Sequence, residues 1–359
     1  MKKKSNRMRS KYTIKAVDLF CGAGGLTKGL RNIGIDVQLG VDLDPACEYP
    51  YTSNNESRFL LKSVVELQPS ELTPSLLGGD YSLIAGCAPC QTFSSYSLGK
   101  KNETDARWNL LSHFGSMVVK LNPDFVTMEN VPGLRQQKVF HDFLKTLHDN
   151  GYKAPFVGVV NGADYGLPQS RQRLIVLASK LGPMKLIAPT HQNSPITVKD
   201  ALSGLTSLQS GEMDPDDELH QTSALSPLNL KRIQASRPGG TWRDWPKHLV
   251  AECHKKESGK TFAGVYGRMK WDSPAPTITT QFFGFGNGRF GHPEQNRALS
   301  FREGAILQGF PKKYKFIKPG EPIIRRDIGR MIGNAVPVKL GEVIGRSILA
   351  HIKEIKTRL

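Results

Sequence analysis

Long apolar runs are missing from this 359-residue chain. None approaches the roughly 18 residues that a membrane-crossing helix needs, so a helical membrane span is not expected. Cysteine is scarce: five residues with no framework spacing point away from a disulfide scaffold and toward a reducing, cytoplasmic setting. Neither a second C-x-x-C nor a His pair accompanies Cys87 and Cys90 at ligand spacing, so no metal centre is expected. Phosphate fingerprints are absent too. The glycines form no G-x-G-x-x-G, and no G-K-[ST] occurs, so a pyrophosphate ligand is not demanded. Acidic residues number only 32 against 49 Lys and Arg, a net charge of +17. A merely basic surface would give the same balance, but the excess favours a polyanionic partner, most simply nucleic acid. Residues 1–15 hold seven Lys/Arg and no acid without a following apolar core, which reads as a basic arm at 1–11 and not a secretory leader.

What the chain does contain begins with a strand, Lys15-Ala16-Val17-Asp18-Leu19-Phe20. The tight turn Cys21-Gly22-Ala23-Gly24-Gly25 follows, and then a helical stripe of Leu26, Leu30 and Ile33 ending at Gly34. A second strand, 37–41, ends in Asp42-Leu43-Asp44, about 20 residues past the first glycines, the position from which a carboxylate reaches ribose hydroxyls in nucleotide-binding α/β folds. The pair describes a site for an adenosine-containing ligand, S-adenosylmethionine as readily as NAD. Pro50 predicts a short or kinked helix after Asp44-Pro45, and residues 60–67 read as a third strand.

The apolar run Tyr81-Ser82-Leu83-Ile84-Ala85 has the length of a buried parallel strand, and Pro89 stops its ladder. Cys90 then falls at the carboxyl end of a strand, where open α/β sheets hold ligands. A cysteine there packs more often than it reacts. The polar stretch 94–107 reads as a mobile loop and a candidate lid. Residues 107–121 carry a helical stripe, 124–128 form another buried strand with Glu129 at its tip, and 139–150 form a helix closing at Gly151. An acid at a strand tip is usually solvated, yet two tips of one sheet can bring Glu129 beside Cys90. Arg171 and Arg173 precede and enter the strand 174–178 and share one face of an extended chain, a candidate cationic wall for a carbonyl oxygen and a thiolate.

Beyond residue 181 the composition shifts to Pro, Ser, Gly and Thr, with Trp242, Trp245, Trp271, Phe282, Phe283 and Phe285 among basic residues. This predicts a second, irregular, mostly β domain at 189–320 suited to reading a groove, with no helix-turn-helix or zinc-finger spacing. Residues 300–310 look helical. The segment 321–359, with Gly333-Asn334-Ala335-Val336-Pro337 ahead of a strongly patterned helix, is expected to return to the first domain, whose first part spans 12–188.

Taken together, Asp18-Leu19-Phe20-Cys21-Gly22-Ala23-Gly24-Gly25, Pro89-Cys90-Gln91, Glu129-Asn130-Val131, Gln169-x-Arg171-x-Arg173, the segment 297–311 and Gly333-Asn334-x-Val336 resemble, in order, the motifs of DNA (cytosine-5) methyltransferases of the bacterial restriction-modification type. The match covers nearly the whole chain. It implies a Rossmann-like α/β catalytic domain using S-adenosylmethionine, with an inserted target-recognition domain acting on double-stranded DNA. A monomer is expected, and a separately acting restriction endonuclease is a possible companion. Cofactor contacts are implied for Phe20, Gly22, Ala23, Gly24, Gly25, Asp42, Leu43, Val64, Pro89, Leu110, Asn334 and Val336. DNA contacts are expected from Ser94, Lys100, Lys101, Arg107, Arg243 and Arg268. Two departures stand out. Cys87-Ala88 replaces a small or aromatic residue, so the C-x-x-C spacing reads as incidental; Leu43 and Ser63 stand where an adenine-stacking aromatic and an acid are common.

The chemistry that the resemblance implies is nucleophilic. Cytosine C5 is methylated only after Cys90 adds to C6, with Glu129 hydrogen-bonding N3 and the exocyclic amine, Arg173 holding O2, and Arg171 orienting the glutamate and favouring the thiolate. The target base must be flipped out of its duplex. A tRNA cytosine methyltransferase, a catalytically silent DNA-binding relative and an NAD oxidoreductase are the competing readings.

Overall fold

A computed structural model describes residues 11–89 and 109–358. The chain divides into two compact units, one comprising residues 1–165, 172–190 and 335–359, the other 166–171 and 191–334. The return to the first unit thus comes at Ala335, later than the expected 321, and the short stretch 166–171 belongs with the second unit.

In the first unit β1 (Ile14–Leu19), α1 (Gly25–Asn32), β2 (Asp36–Asp42), α2 (Glu48–Asn55), β3 (Arg58–Leu61), α3 (Pro69–Leu76), β4 (Tyr81–Gly86), α4 (Leu110–Leu121), β5 (Phe125–Asn130), α5 (Lys138–Asp149), β6 (Phe156–Asn161) and β7 (Gln172–Ser179) alternate as an α/β chain should. The seven strands lie in the order β3-β2-β1-β4-β5-β7-β6. Strands β1 to β5 run parallel, while β7 is antiparallel to both β5 and β6. The chain moves outward from β1 to β3, then jumps back to lay β4 on the other side of β1. This reversal opens a crevice at the carboxyl ends of β1 and β4.

Strand alternation sorts the core into two layers. Val17, Ile84, Val126 and Met128 face Leu72, Phe114, Met117, Phe140 and Phe143 from α3, α4 and α5. Ala16, Leu83, Ala85 and Phe125 face the opposite layer, where α1 supplies Leu26 and Leu30. Leu340, Ile344, Ile348 and Ile352 join that layer from the last helix of the chain, Val338–Arg358. Gly29 and Gly341 let this helix approach α1: a Cβ on Gly29 would stand 2.7 Å from the Cα of Gly341. Pro50 does not break α2, because it lies in the first turn, where backbone N–H groups have no intrahelical acceptor.

The second unit is irregular, as its composition predicts, but not mostly β. Its regular strands are β8 (Met213–Asp214) and β9 (Asp217–Gln221), and more of it lies in short helices. These are α6 (Val198–Leu202), α7 (Pro227–Gln234), α8 (Glu252–Lys255), α9 (Glu257–Lys260), α10 (Phe301–Leu307) and α11 (Arg325–Asn334); the closing helix of the chain, in the first unit, is α12. Its aromatics do not space out along strands. Trp242, Trp245 and Phe285 instead cluster with Ile233 in a small core, and Tyr266 packs on it. Among the described residues no helix is long and apolar enough to cross a membrane.

Candidate active site

The crevice opens on the glycine turn after β1. Phe20 (φ 59°), Gly22 (φ 51°) and Gly24 (φ 87°) all adopt left-handed backbone, which throws the chain sharply from strand to helix. Apart from its chain neighbours, no heavy atom of the described residues lies within 4 Å of where a Cβ on Gly22 would stand, so among them the turn leaves room beside its backbone. Asp42, at the tip of β2, accepts the Gly22 N–H on Oδ2 at 2.8 Å and the Asp44 N–H on Oδ1 at 2.9 Å. With these N–H groups in place the carboxylate still has capacity for further donors such as ribose hydroxyls. Burial raises the Asp42 pKa against the lowering effect of those N–H groups. Beyond it the surface turns apolar: Leu43 is 68% exposed, and Leu61, paired in the sheet with Asp42, is half exposed. An open backbone cradle, an acceptor at the strand tip and exposed aliphatic surface beside it suit an adenosine-containing cofactor.

Other expected cofactor positions fall as follows. Phe20 and Leu110 are partly buried, and Ala23, Gly24, Gly25, Val64 and Val336 are buried. Pro89 is exposed just past the end of β4, and Asn334 is exposed at the end of α11, in the second unit. Below the turn Asp18 is buried, its Oδ2 accepting the Thr27 hydroxyl at 2.6 Å. Burial pushes its pKa up to about 7. The Cys21 thiol is pushed up as well, by burial and by Asp18 and Asp42, so it is no nucleophile.

Glu129 is the last residue but one of β5, and its side chain is 3% exposed. Arg173 Nε lies 3.0 Å from its Oε1. This is a close charge pair, but its N–H is not aimed at the oxygen, because Oε1 accepts no directed hydrogen bond among the described residues. The second oxygen, Oε2, accepts a hydrogen bond from the Cys87 thiol at 3.1 Å. Sequence reasoning missed Cys87; its only signal was a C-x-x-C spacing that reads there as incidental. Asn130 donates through Nδ2 to the Ala88 carbonyl at 3.0 Å and accepts the Val131 N–H, tying the segment after β4 to the tip of β5. Residue 88 is thereby anchored two places before Cys90.

The motif Gln169-x-Arg171-x-Arg173 divides its labour. Arg173 belongs to β7 and meets the glutamate. Arg171, buried in the second unit, donates to the carbonyls of Ile278 and Gly333, each at 2.8 Å. Gln169 accepts the Ile278 N–H and donates to the Leu307 carbonyl. Gly333 has no room for a side chain, since a Cβ would stand 2.5 Å from the Thr280 nitrogen. The expected grip on Glu129 is therefore made by Arg173.

One expected DNA contact is corrected. Arg268 is 4% exposed and donates to the carbonyls of Ile233, Ser236, His292 and Gln295. It is an internal tie for backbone that forms no sheet. Arg243 remains exposed, its guanidinium over the Trp242 ring at 5.5 Å and donating to the Lys260 carbonyl. Cys90, Ser94, Lys100, Lys101 and Arg107 lie outside the described residues.

Comparison with known proteins points the same way as this geometry. The family model described as C-5 cytosine-specific DNA methylase matches residues 14–350. The Type II methylase M.HgiDII of Herpetosiphon aurantiacus is 47% identical over 346 residues, covering 95% of this chain and 97% of its own. The Type II methyltransferase M.Eco47II of Escherichia coli is 31% identical, covering 97% of this chain and 81% of its own. Among solved structures, the methyltransferase EhMeth of Entamoeba histolytica superposes with a TM-score of 0.68 at 16% identity, covering 95% of this chain and 99% of its own, a likeness of fold.

Proposed function

Because the chain belongs to the C-5 cytosine-specific DNA methylase family and is a DNA (cytosine-5) methyltransferase using S-adenosylmethionine, we propose that it acts on a cytosine flipped from duplex DNA through a covalent bond from Cys90 to C6. The observation that carries this reading is Glu129: a buried carboxylate at a strand tip, beside the strand leading into Pro89-Cys90 and paired with Arg173.

The cytosine ring resists attack by an electrophile at C5 until a nucleophile at C6 makes C5 carbanion-like. A thiolate suits that addition because it is a strong nucleophile at modest basicity. Electron density arriving in the ring collects at N3 and O2, so a group that gives N3 a proton or a strong hydrogen bond lowers the barrier. Glu129 takes this role when its carboxyl carries a proton, its burial keeping water from competing at the site. Arg173 pairs with the glutamate and stabilises charge developing at O2. The Gly22–Gly25 turn, Asp42 and Leu43 hold S-adenosylmethionine, which supplies an electrophilic methyl group. Loss of the C5 proton and of Cys90 then restores the aromatic ring.

These atoms are unreachable in a stacked duplex, and extrusion costs a few kcal/mol. The second unit is proposed to read the target sequence, with exposed Arg243 among its contacts and the +17 charge supplying affinity through phosphate contacts. Resemblance to the Type II enzymes supports a role in restriction-modification; a cytoplasmic location, a monomeric state and a separately acting endonuclease complete the proposal.

The test is methyl transfer from labelled S-adenosylmethionine to duplex DNA and to tRNA. Transfer to DNA is expected from the unchanged enzyme. Cys90→Ser should abolish turnover with cofactor binding kept, and Glu129→Gln should lower the single-turnover rate about 10²- to 10⁴-fold with little change in DNA affinity. A normal rate in either variant, or transfer to tRNA alone, refutes the proposal.

A further inference from the structure

The sheet register sets a cysteine beside the glutamate. β4 and β5 pair in parallel with Gly86 opposite Met128, so one step further along the same ladder Cys87 stands opposite Glu129. Alternation points both side chains to the face where Cys87 packs against the layer of Ala85 and Phe125. The outcome is the 3.1 Å contact between Cys87 Sγ and Glu129 Oε2. An ionised carboxylate only accepts hydrogen bonds, so in that state the thiol is the donor.

The two oxygens of Glu129 are held differently. Arg173 Nε is close to Oε1 at 3.0 Å, yet among the described residues no directed hydrogen bond reaches that oxygen. Charge attraction of this kind fixes where the carboxylate sits and leaves its rotation about the last bond weakly specified, since that torsion is intrinsically broad. The bond from Cys87 is directional and fixes the plane. For a group that must meet a flat ring edge at N3 and the amine together, the plane is the property that matters.

We propose that Cys87 is a positioning residue for methyl transfer, its thiol setting the orientation of the Glu129 carboxylate. The inference rests on the role assigned to Glu129. It also gives the Cys87–Cys90 spacing a reading free of metal and redox chemistry: the two cysteines lie three residues apart because one follows the strand that pairs with β5 and the other follows Pro89.

A double-mutant cycle in single-turnover methyl transfer to duplex DNA tests it. C87A is expected to slow the rate about tenfold, the loss of one hydrogen bond to a charged group, with the Kd values for DNA and S-adenosylmethionine unchanged. C87S, which keeps a donor at shorter reach, is expected to recover most of the rate. In an E129Q background C87A should change the rate less than about twofold, because the group it acts through has lost its charge. Overturning results are a wild-type rate in C87A, an equal slowing by C87A in both backgrounds, or C87S as slow as C87A. A wild-type rate in E129Q would remove the role of Glu129 and this proposal together, and so is distinguishable from failure of Cys87 alone. Should C87A not fold, C87S against C87G in the same cycle makes the comparison.

Discussion

Replacing Glu303 by Gln should unfold the second unit at markedly lower temperature. The Arg297 and Glu303 side chains are 0% and 1% exposed and form a two-pronged pair at 2.7 and 2.8 Å. The carboxylate also accepts the Ser300 N–H at 2.7 Å, closing the reciprocal cap of α10. Burial alone would raise the Glu303 pKa, but hydrogen bonding and charge from Arg297 outweigh it and the net shift is downward. With Gln, Arg297 keeps its carbonyl acceptors at Leu208 and Ala298 but becomes a buried cation with no counter-charge, facing an amide that offers one acceptor where there were two. Breaking a buried pair from one side costs about 3–5 kcal/mol, which in a domain of ~150–250 residues lowers the melting point by roughly 10 °C. Differential scanning fluorimetry and urea titration measure this. The double variant Arg297→Met/Glu303→Leu, which removes both charges, should cost far less than the two single changes added together. A single-variant loss below about 1 kcal/mol, or an additive double, would refute the argument.

Two further outcomes concern stability. His292 is held near pKa 4, below its ordinary 6.5, mainly by burial and despite the attraction of Glu303. The unfolded chain takes up a proton near pH 6.5 while the folded one resists until about 4, so the stabilisation is complete above pH ~6.5 and lost as pH falls toward 4. Urea midpoints measured from pH 7.5 to 5 should therefore drop, with a shallower slope in His292→Leu; equal slopes would contradict the assignment. Gly29→Ala should destabilise the first unit by about 1–3 kcal/mol, since its Cβ would stand 2.2 Å from the Val338 carbonyl oxygen and push α12 off α1. A melting point unchanged or raised by the better helix former would count against that packing.

The catalytic half of the fold is legible because its signals are local. A buried strand, a glycine turn and an amphipathic helix each state themselves within ten residues, and β1, α1, β4, α4 and α5 lie where periodicity puts them. Strand β6 carries no such signal: Phe156-Val157-Gly158-Val159-Val160-Asn161 is an edge strand of half-exposed residues interrupted by glycine, and lacks both alternation and continuous burial. The strand expected at 60–67 is only four residues long, with Ser63 and Val64 already in a turn. In the second unit composition misleads. Aromatics and threonines suggest sheet, whereas the chain gathers its aromatics into separate small clusters, Trp242, Trp245 and Phe285 in one and Phe282, Phe283 and Phe301 in another, and side chains such as Arg268 satisfy its backbone.

Arg268 and Arg297 show why charge is hard to interpret there. An irregular segment has no ladder to satisfy its buried carbonyls, and a guanidinium with five donors can serve several at once. Basic residues in such a domain accordingly divide into those that bind its own backbone and those left for a polyanion, a division that depends on burial and is invisible in a charge count. The active site poses the same problem in another form. Glu129 can be found from a strand tip, because tips are local. Cys87 cannot, because its meaning lies in which residue stands across the ladder, and that is decided by register between strands 42 residues apart. Reading function in such a sheet therefore means finding strand tips first and then asking, for each, what the neighbouring strand places beside it.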